Sequence, residues 1–418
     1  MSRSLLITFL GRSPKGENGY RKTRYDFGDG TPEKETAFFG WVLRERLRPN
    51  RLVVLGTSGS MWDHLFEGDL ELGEAGEQER MTLLEAVERQ SVAQEQLDQL
   101  APLLEKALGI PIRLYIIPYC RTEAEQVKLL RILADEVHPR DQVHIDVSHG
   151  FRHLPMLALL AAFHVRQVKG ADVRGIWYGS YDPDTGNAPV YELSGLLRIA
   201  DWLQALSSFE KDGDYRVFVP LLRQAGAEKD ACEQLGEAAY FENLLNVGEA
   251  TGRLRKARRQ LCETKKTLSP DASLLLPAIC KRLEWVAEKK QFEKQIGLAR
   301  QALKRRDYLR ATLYAFEACI TRLCQLKGIQ INHFNKREQI RKAYRDRLKG
   351  HGPDDEYERF RLLQEIRNQV AHGTRGSREK VQEILLSEAD LNEFLQTTIT
   401  AIASNRLPDP ETVEAISA

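Results

Sequence analysis

Two hydrophobic rhythms divide the chain. Up to about Arg198, short apolar runs rich in β-branched residues alternate with longer stretches whose apolar positions follow a helical period. The runs Leu5–Leu10, Leu52–Gly56, Ile112–Pro118, Val143–Val147 and Val173–Tyr178 read as strands. Several are apolar almost throughout, as expected where both faces of a parallel sheet are covered. Between them, Thr36–Leu47, Glu79–Leu108, Glu123–Val137 and His153–Val168 carry the period of amphipathic helices. This alternation predicts an α/β, Rossmann-like parallel sheet domain over residues 1–200. The basic and aromatic Tyr20–Tyr25 run predicts a hairpin off the sheet edge, and Tyr191–Leu206 completes the domain, leading out through an amphipathic helix from Leu193 to Leu203.

Beyond that helix the period is helical nearly to the end, with breaks near Gly226, Ser269-Pro270 and Gly350–Pro353. An all-α helical connector over residues 201–290 and an α-helical bundle over 291–418 are expected. No repeat or low-complexity tract is evident.

Composition narrows the class. At 418 residues and 42% hydrophobic content, the chain has enough apolar material for two or three cored domains. The 61 basic and 60 acidic residues leave a formal charge of +1, so contact with nucleic acid must rely on local patches. The opening Leu5–Leu10 run is too short for a signal peptide. The richest apolar stretch, Leu154–Val165, is too short to span a bilayer and contains His164. A cytoplasmic protein with no membrane partner is expected. The six cysteines are scattered without a CxxC, which favours free thiols over disulfides or zinc.

In open α/β sheets ligands collect beyond the carboxyl ends of the strands. Three such ends are followed by small or polar residues: Gly11-Arg12-Ser13, Thr57-Ser58-Gly59-Ser60-Met61-Trp62 and Ser148-His149-Gly150-Phe151-Arg152. The last leads directly into a helix, whose amino terminus is expected to present N–H groups to an anion. One reading is a nucleotide cradle; the other is that glycines and serines merely turn the chain. Neither GxGxxG nor GxxxxGK[ST] occurs after the first strand, which disfavours a dinucleotide enzyme or an ATPase.

Near the carboxyl end, Glu365-Ile366-Arg367-Asn368-Gln369-Val370-Ala371-His372-Gly373 interrupts an amphipathic helix with a compact polar set. Phe360, Leu363, Ile366 and Val370 gather on one side, while Arg361, Glu365, Asn368 and His372 share the opposite one and Arg367 sits at the boundary. The stretch is open to two readings. One is a solvated polar face. In the other, the Arg367 guanidinium neutralises a phosphodiester, the His372 imidazole moves protons, and Asn368 steadies the imidazole or the helix end. A single such helix offers half of what an RNA backbone needs, so two copies are expected to share the site. A basic cluster from Lys336 to Lys349 precedes this helix and is placed to attract phosphate, whereas Arg253–Arg259 reads as a solvated face.

These residues also carry a resemblance. Leu55–Asp63, Asp146–Arg152 and Trp177-Tyr178-Gly179 resemble the CRISPR-associated Rossmann fold (CARF) domain, and Arg367-Asn368-x-x-x-His372 resembles the signature of the HEPN (higher eukaryotes and prokaryotes nucleotide-binding) ribonucleases. Their order is similar to that of the CARF–HEPN accessory ribonucleases of type III CRISPR systems.

The resemblance implies a homodimer, or a higher oligomer of dimers. Its paired CARF domains would bind one cyclic oligoadenylate, with cyclic tetra-adenylate the expected ring, as an allosteric activator. No cofactor is implied. The paired HEPN domains would form one metal-independent endoribonuclease site that cleaves single-stranded RNA to a 2′,3′-cyclic phosphate. Arg367 and His372 become the catalytic pair with Asn368 their polar neighbour. Gly11, Arg12, Ser13, Thr57, Ser58, Gly59, Ser60, Ser148, His149, Gly150, Phe151 and Arg152 become the activator loops. Two alternatives stay open. One is a ring nuclease that cuts the activator with Ser13, Ser148 or His149; the other is a non-catalytic nucleotide sensor that recruits a partner.

Overall fold

The computed structural model describes residues 3–17, 19–31, 35–70, 72–263, 265–351, 354–373 and 378–416. The chain forms two compact units, Met1–Ala200 and Asp201–Ala418. Of the expected break at Gly350–Pro353, residues 352 and 353 lie outside the described residues.

Nine strands are described in the first unit. They are β1 (Ser4–Leu10), β2 (Lys15–Gly16), β3 (Gly19–Tyr20), β4 (Arg24–Asp26), β5 (Arg51–Gly56), β6 (Ile112–Ile116), β7 (Gln142–Asp146), β8 (Asp172–Gly179) and β9 (Asn187–Glu192). Seven of them make one sheet in the order β4-β9-β8-β7-β1-β5-β6, parallel throughout except between β8 and β9. The side-chain period of two splits the apolar strands between two cores. Leu6, Leu10, Leu52, Val54, Ile112 and Leu114 face one set of helices; Leu5, Ile7, Phe9, Val53, Leu55, Val143 and Ile145 face the other. The result is a helix–sheet–helix sandwich, which explains why these strands carry so few polar residues.

Four local expectations are corrected. The hairpin is β2–β3, and Arg24–Asp26 instead enters the main sheet beside β9. The helix expected from Thr36 begins at Phe39, because Thr23 and Thr36 exchange backbone hydrogen bonds in an isolated bridge. The stretch Glu79–Leu108 is not one helix but two, Glu77–Glu88 and Gln94–Leu108, separated where Gln90 adopts a left-handed backbone at φ 54°. Finally, Tyr191 belongs to a strand between β4 and β8 that the sequence pattern does not signal, and the exit helix runs from Gly195 to Asp212.

In the second unit the described residues share one apolar cluster extending from Trp202 to Ile416. Helix Gln291–Lys304 packs on Tyr308–Leu326, which in turn packs against Asp354–His372 and Glu388–Ala403. Phe360, Leu363 and Ile366 of the Asp354–His372 helix are fully buried, and Val370 is partly so. No helix among the described residues is long and apolar enough to cross a membrane.

One ionisable group is built into the sheet. Asp146, at the end of β7, accepts hydrogen bonds from the Thr8 hydroxyl (2.6 Å) on the neighbouring β1 and from the Ser148 N–H (2.8 Å). Burial nonetheless pushes its pKa up to about 6, against the pull of those bonds. An unfolded aspartate ionises near about 3.9. Between those values the folded chain holds the extra proton, so Asp146 makes stability fall as pH rises, by about 1.4 kcal/mol per pH unit, and no further above the folded value. Urea midpoints followed from acid to neutral pH should show this part of the slope in the natural chain and its loss in Asp146→Asn.

Candidate functional site

Parallel pairing of β7, β1 and β5 brings their carboxyl ends to the same side of the sheet, and the three loops that follow are tied together. Ser60 is the main tie: its hydroxyl donates to the Leu10 carbonyl (2.6 Å) and accepts from the Thr57 N–H (2.9 Å). The Met61 N–H donates to the Gly11 carbonyl (2.9 Å), and the Trp62 indole N–H returns to the Thr57 carbonyl (2.8 Å). Gly11 meets the third loop directly. A Cβ there would lie 2.6 Å from the backbone nitrogen of Gly150, so only glycine permits this approach. Gly150 itself has φ +104°, a region that disfavours other residues.

A cavity of about 270 Å³ opens above these loops. Its lining comprises Leu10, Gly11, Arg12, Gly56, Thr57, Gly59, Ser60, Gln90, Ile117, Tyr119, Gly150, Phe151 and Leu154. Arg12 supplies its one charged side chain. Tyr119 and Phe151 form an aromatic wall with ring centroids 5.5 Å apart, and the Arg121 guanidinium lies 5.0 Å from the Tyr119 ring. The combination of backbone, hydroxyls, aromatic faces and a cation suits a phosphorylated nucleoside.

Of the expected loop residues, Gly11, Arg12, Thr57, Gly59, Ser60, Gly150 and Phe151 are brought together here, while Ser13, Ser58, Ser148, His149 and Arg152 lie outside the lining. Ser58 instead sits 3.4 Å from the Tyr119 hydroxyl. The Ser148 hydroxyl accepts from the Gly179 N–H (2.7 Å), joining the β7 and β8 ends. The His149 Nε2 accepts from the Phe39 N–H (3.1 Å) and lies 3.2 Å from the Tyr25 hydroxyl. Burial, aided by the nearby His64 and Arg21, pushes the His149 pKa down to about 4, so this imidazole is neutral at pH 7 and pins the helix start at Phe39.

The expected helix amino terminus is also occupied. In helix Leu154–Lys169 the Leu154 N–H donates to Phe151, Met156 and Leu157 donate to the His153 carbonyl, and Pro155 has no N–H. Those groups serve the fold rather than an anion. Tyr119 and Gln90 are the lining residues with hydrogen-bonding side chains that sequence reading missed. The loop after β6 has no glycine or serine to signal it, and Gln90 falls inside what read as a continuous helix.

A second cavity, of about 290 Å³, lies within the second unit and is lined by Phe316, Glu317, Ile320, Phe334, Arg337, Glu338, Arg341, Gln364, Arg367 and Asn368. The Arg367 guanidinium sits 5.3 Å from the Phe316 ring and donates through Nη1 to the Asn368 amide oxygen (3.0 Å). Its Nε is buried without a hydrogen-bond partner among the described residues. Asn368 therefore holds the arginine rather than the imidazole expected from spacing. His372 is exposed on the last turn, outside the cavity lining, and Gly373 (φ +63°) closes the helix.

Neighbouring charges are largely paired. Glu365 binds Arg361 (2.8 Å) and Arg378 (3.5 Å), and Arg378 also binds Glu358 (2.6 Å). In the Lys336–Lys349 cluster, Arg337 meets Glu317 (2.6 Å), Arg341 meets Glu338 (2.5 Å) and Arg345 meets Asp346 (3.0 Å). In the Arg253–Arg259 cluster, Arg253 pairs with Glu237 and Glu249, and Lys256 with Asp230. Among the described residues no group of three or more His, Cys, Asp or Glu side chains is placed to hold a metal ion, and all six cysteines are free.

Comparison with known proteins bears on the first unit most directly. Residues 5–183 match the model of the CARF domain of the CRISPR system endoribonuclease Csx1. The CRISPR-associated protein MJ1674 of Methanocaldococcus jannaschii is 24% identical over 378 residues, which are 84% of this chain and 59% of that relative. The chain thus spans under two thirds of that relative's length. Among solved structures, Enterococcus italicus Csm6 bound to cyclic hexa-2′-fluoro-hexa-dAMP aligns over 99% of both chains at 12% identity and a TM-score of 0.43. The matched segment holds the whole β1, β5 and β7 loop assembly around the first cavity. Residues 5–183 form a CARF domain, and over most of its length the chain is similar to a CRISPR-associated protein.

Proposed function

We propose that the chain is a cyclic-oligoadenylate-activated endoribonuclease that cleaves single-stranded RNA without a metal in type III CRISPR defence. The observation that carries this reading is the convergence of three strand-end loops, with Arg12 and two aromatic rings, on one cavity inside the CARF domain. The description of the matched model supports the nuclease half, since it names an endoribonuclease. Cyclic tetra-adenylate is the ring proposed.

The chemistry falls to the helix Asp354–His372, taken as part of a HEPN bundle. Arg367 presents a planar fork to a phosphate oxygen. His372 lies five residues further on, about 140° around the helix and roughly 7.5 Å along it. One helix therefore aims the two groups in different directions, which supports a site completed by a second copy in a homodimer. In the proposed step the ribose 2′-oxygen gives up its proton to a base and bonds to phosphorus. The P–O5′ bond breaks, and the 5′-oxygen takes a proton. The products are a 2′,3′-cyclic phosphate and a 5′-hydroxyl, with His372 transferring one of the protons.

Two outcomes test this. Labelled RNA incubated with the protein, a chelator and cyclic oligoadenylates of several ring sizes should be cut with one ring size only. Because His372 is exposed, His372→Ala should keep the fold while losing at least roughly 100-fold in rate; cleavage that needs added metal, or that ignores the activator, would sink the proposal. At the other site, the Cβ of Gly11→Ala would meet the Gly150 backbone. Calorimetry should show activator affinity down by tenfold or more, and thermal stability should fall by about 1–3 kcal/mol, the usual cost of forcing atoms into packed space.

A further inference from the structure

Beyond the end of helix Glu77–Glu88, the chain turns at Gln90 in a left-handed conformation (φ 54°) and passes directly beside the Thr57–Ser60 loop, where the Val92 N–H donates to the Ser58 carbonyl (3.2 Å). The Gln90 side chain is exposed and lines the first cavity, and no hydrogen bond to its amide is described. Its position is narrowly set. A Cβ on Gly59 would lie 3.4 Å from the Gln90 Oε1 and 3.3 Å from the Tyr119 hydroxyl, so both polar groups converge over that glycine. The Tyr119 and Phe151 rings border the same space.

A carboxamide carries an acceptor and two donor hydrogens side by side. Adenine presents the complement on adjacent atoms: the N6 amino group donates and the neighbouring ring nitrogen accepts. We propose that Gln90 is the specificity residue of the CARF cavity, reading the edge of an adenine base that lies against Tyr119 and above Gly59. This rests on the activator reading given above and adds to it the group that distinguishes adenine from other bases. The edge read is the one carrying N7: hypoxanthine has an oxygen in place of the amino group there and offers two acceptors, so a carboxamide in either orientation leaves one of them facing its own carbonyl.

Backbone strain at Gln90 makes the claim separable from a structural role. The position following a helix end in the left-handed region suits glycine, so Gln90→Gly should raise the thermal midpoint of the full chain. If Gln90 reads the base, the same variant should weaken cyclic tetra-adenylate binding by roughly 10- to 100-fold, the worth of a bidentate base contact. Calorimetric titration would compare the natural protein, Gln90→Gly and Gln90→Leu with cyclic tetra-adenylate, cyclic hexa-adenylate and the inosine analogue of each ring. The natural protein should prefer the adenine ring over its inosine analogue, and both variants should lose that preference. Binding of adenine rings by the natural protein with no change of affinity or preference in either variant overturns the assignment of Gln90 and leaves the activator reading intact. If the natural protein binds no cyclic oligoadenylate, the activator reading falls, and the assignment of Gln90 with it.

Discussion

The amino-terminal site depends on one close approach. Gly11 and Gly150 follow strands that are immediate neighbours in the sheet, and their backbones pass where any side chain on Gly11 would collide. Because these loops touch through backbone, the space above them stays open for Arg12, Tyr119 and Phe151 to enclose. The Ser60 hydroxyl then fastens the β5 loop to the end of β1. Strand pairing, glycine placement and one serine thus determine a cavity to which no single loop contributes more than a part.

Electrostatics in the second unit is more local than the residue counts suggest. The stretch before the Arg367 helix is rich in lysine and arginine, yet Glu317, Glu338 and Asp346 pair with three of its arginines. Of these pairs only Arg345–Asp346 is exposed, and a pair of that kind contributes little to stability; the other two are half-buried. Their larger effect here is to reduce the field that an incoming phosphate experiences. In the proposed function, attraction for RNA would then fall to the rim around Arg367 and Asn368 rather than to a broad positive surface.

The central strands were legible because residues such as Leu5–Leu10 and Leu52–Gly56 are buried on both faces, and such burial leaves a continuous apolar run. Asn187–Glu192 was not, because β4 pairs with its first half and β8 with its second, and only Ala188 of the six residues is buried, so it needs no such run. The break between Glu88 and Gln94 was hidden because apolar residues keep a helical period across it and no glycine marks the turn. Tyr119 and Gln90 were missed for related reasons: each reaches the cavity from a segment without a glycine, and each adjoins or lies within a run that read as a regular strand or helix. His149 read as a ligand because a histidine beside a glycine after a strand looks available. The fold instead engages it with Phe39 and Tyr25, contacts that join positions more than a hundred residues apart. The pairing of Arg367 with Asn368 escaped notice because adjacent helical residues do not face each other, whereas a long arginine side chain can bend back to reach its neighbour.

The setting of Arg367 has a further consequence. A free arginine side chain samples many rotamers, and fixing it on a ligand costs on the order of 1.5–2 kcal/mol in lost conformational entropy. Here the Phe316 ring and the Asn368 amide already hold the guanidinium in the unliganded chain. Folding has therefore absorbed most of that loss already. The arginine is a preorganised group, so in the proposed site an encounter with an anion would spend little on ordering, leaving the contact energy to hold a substrate in register.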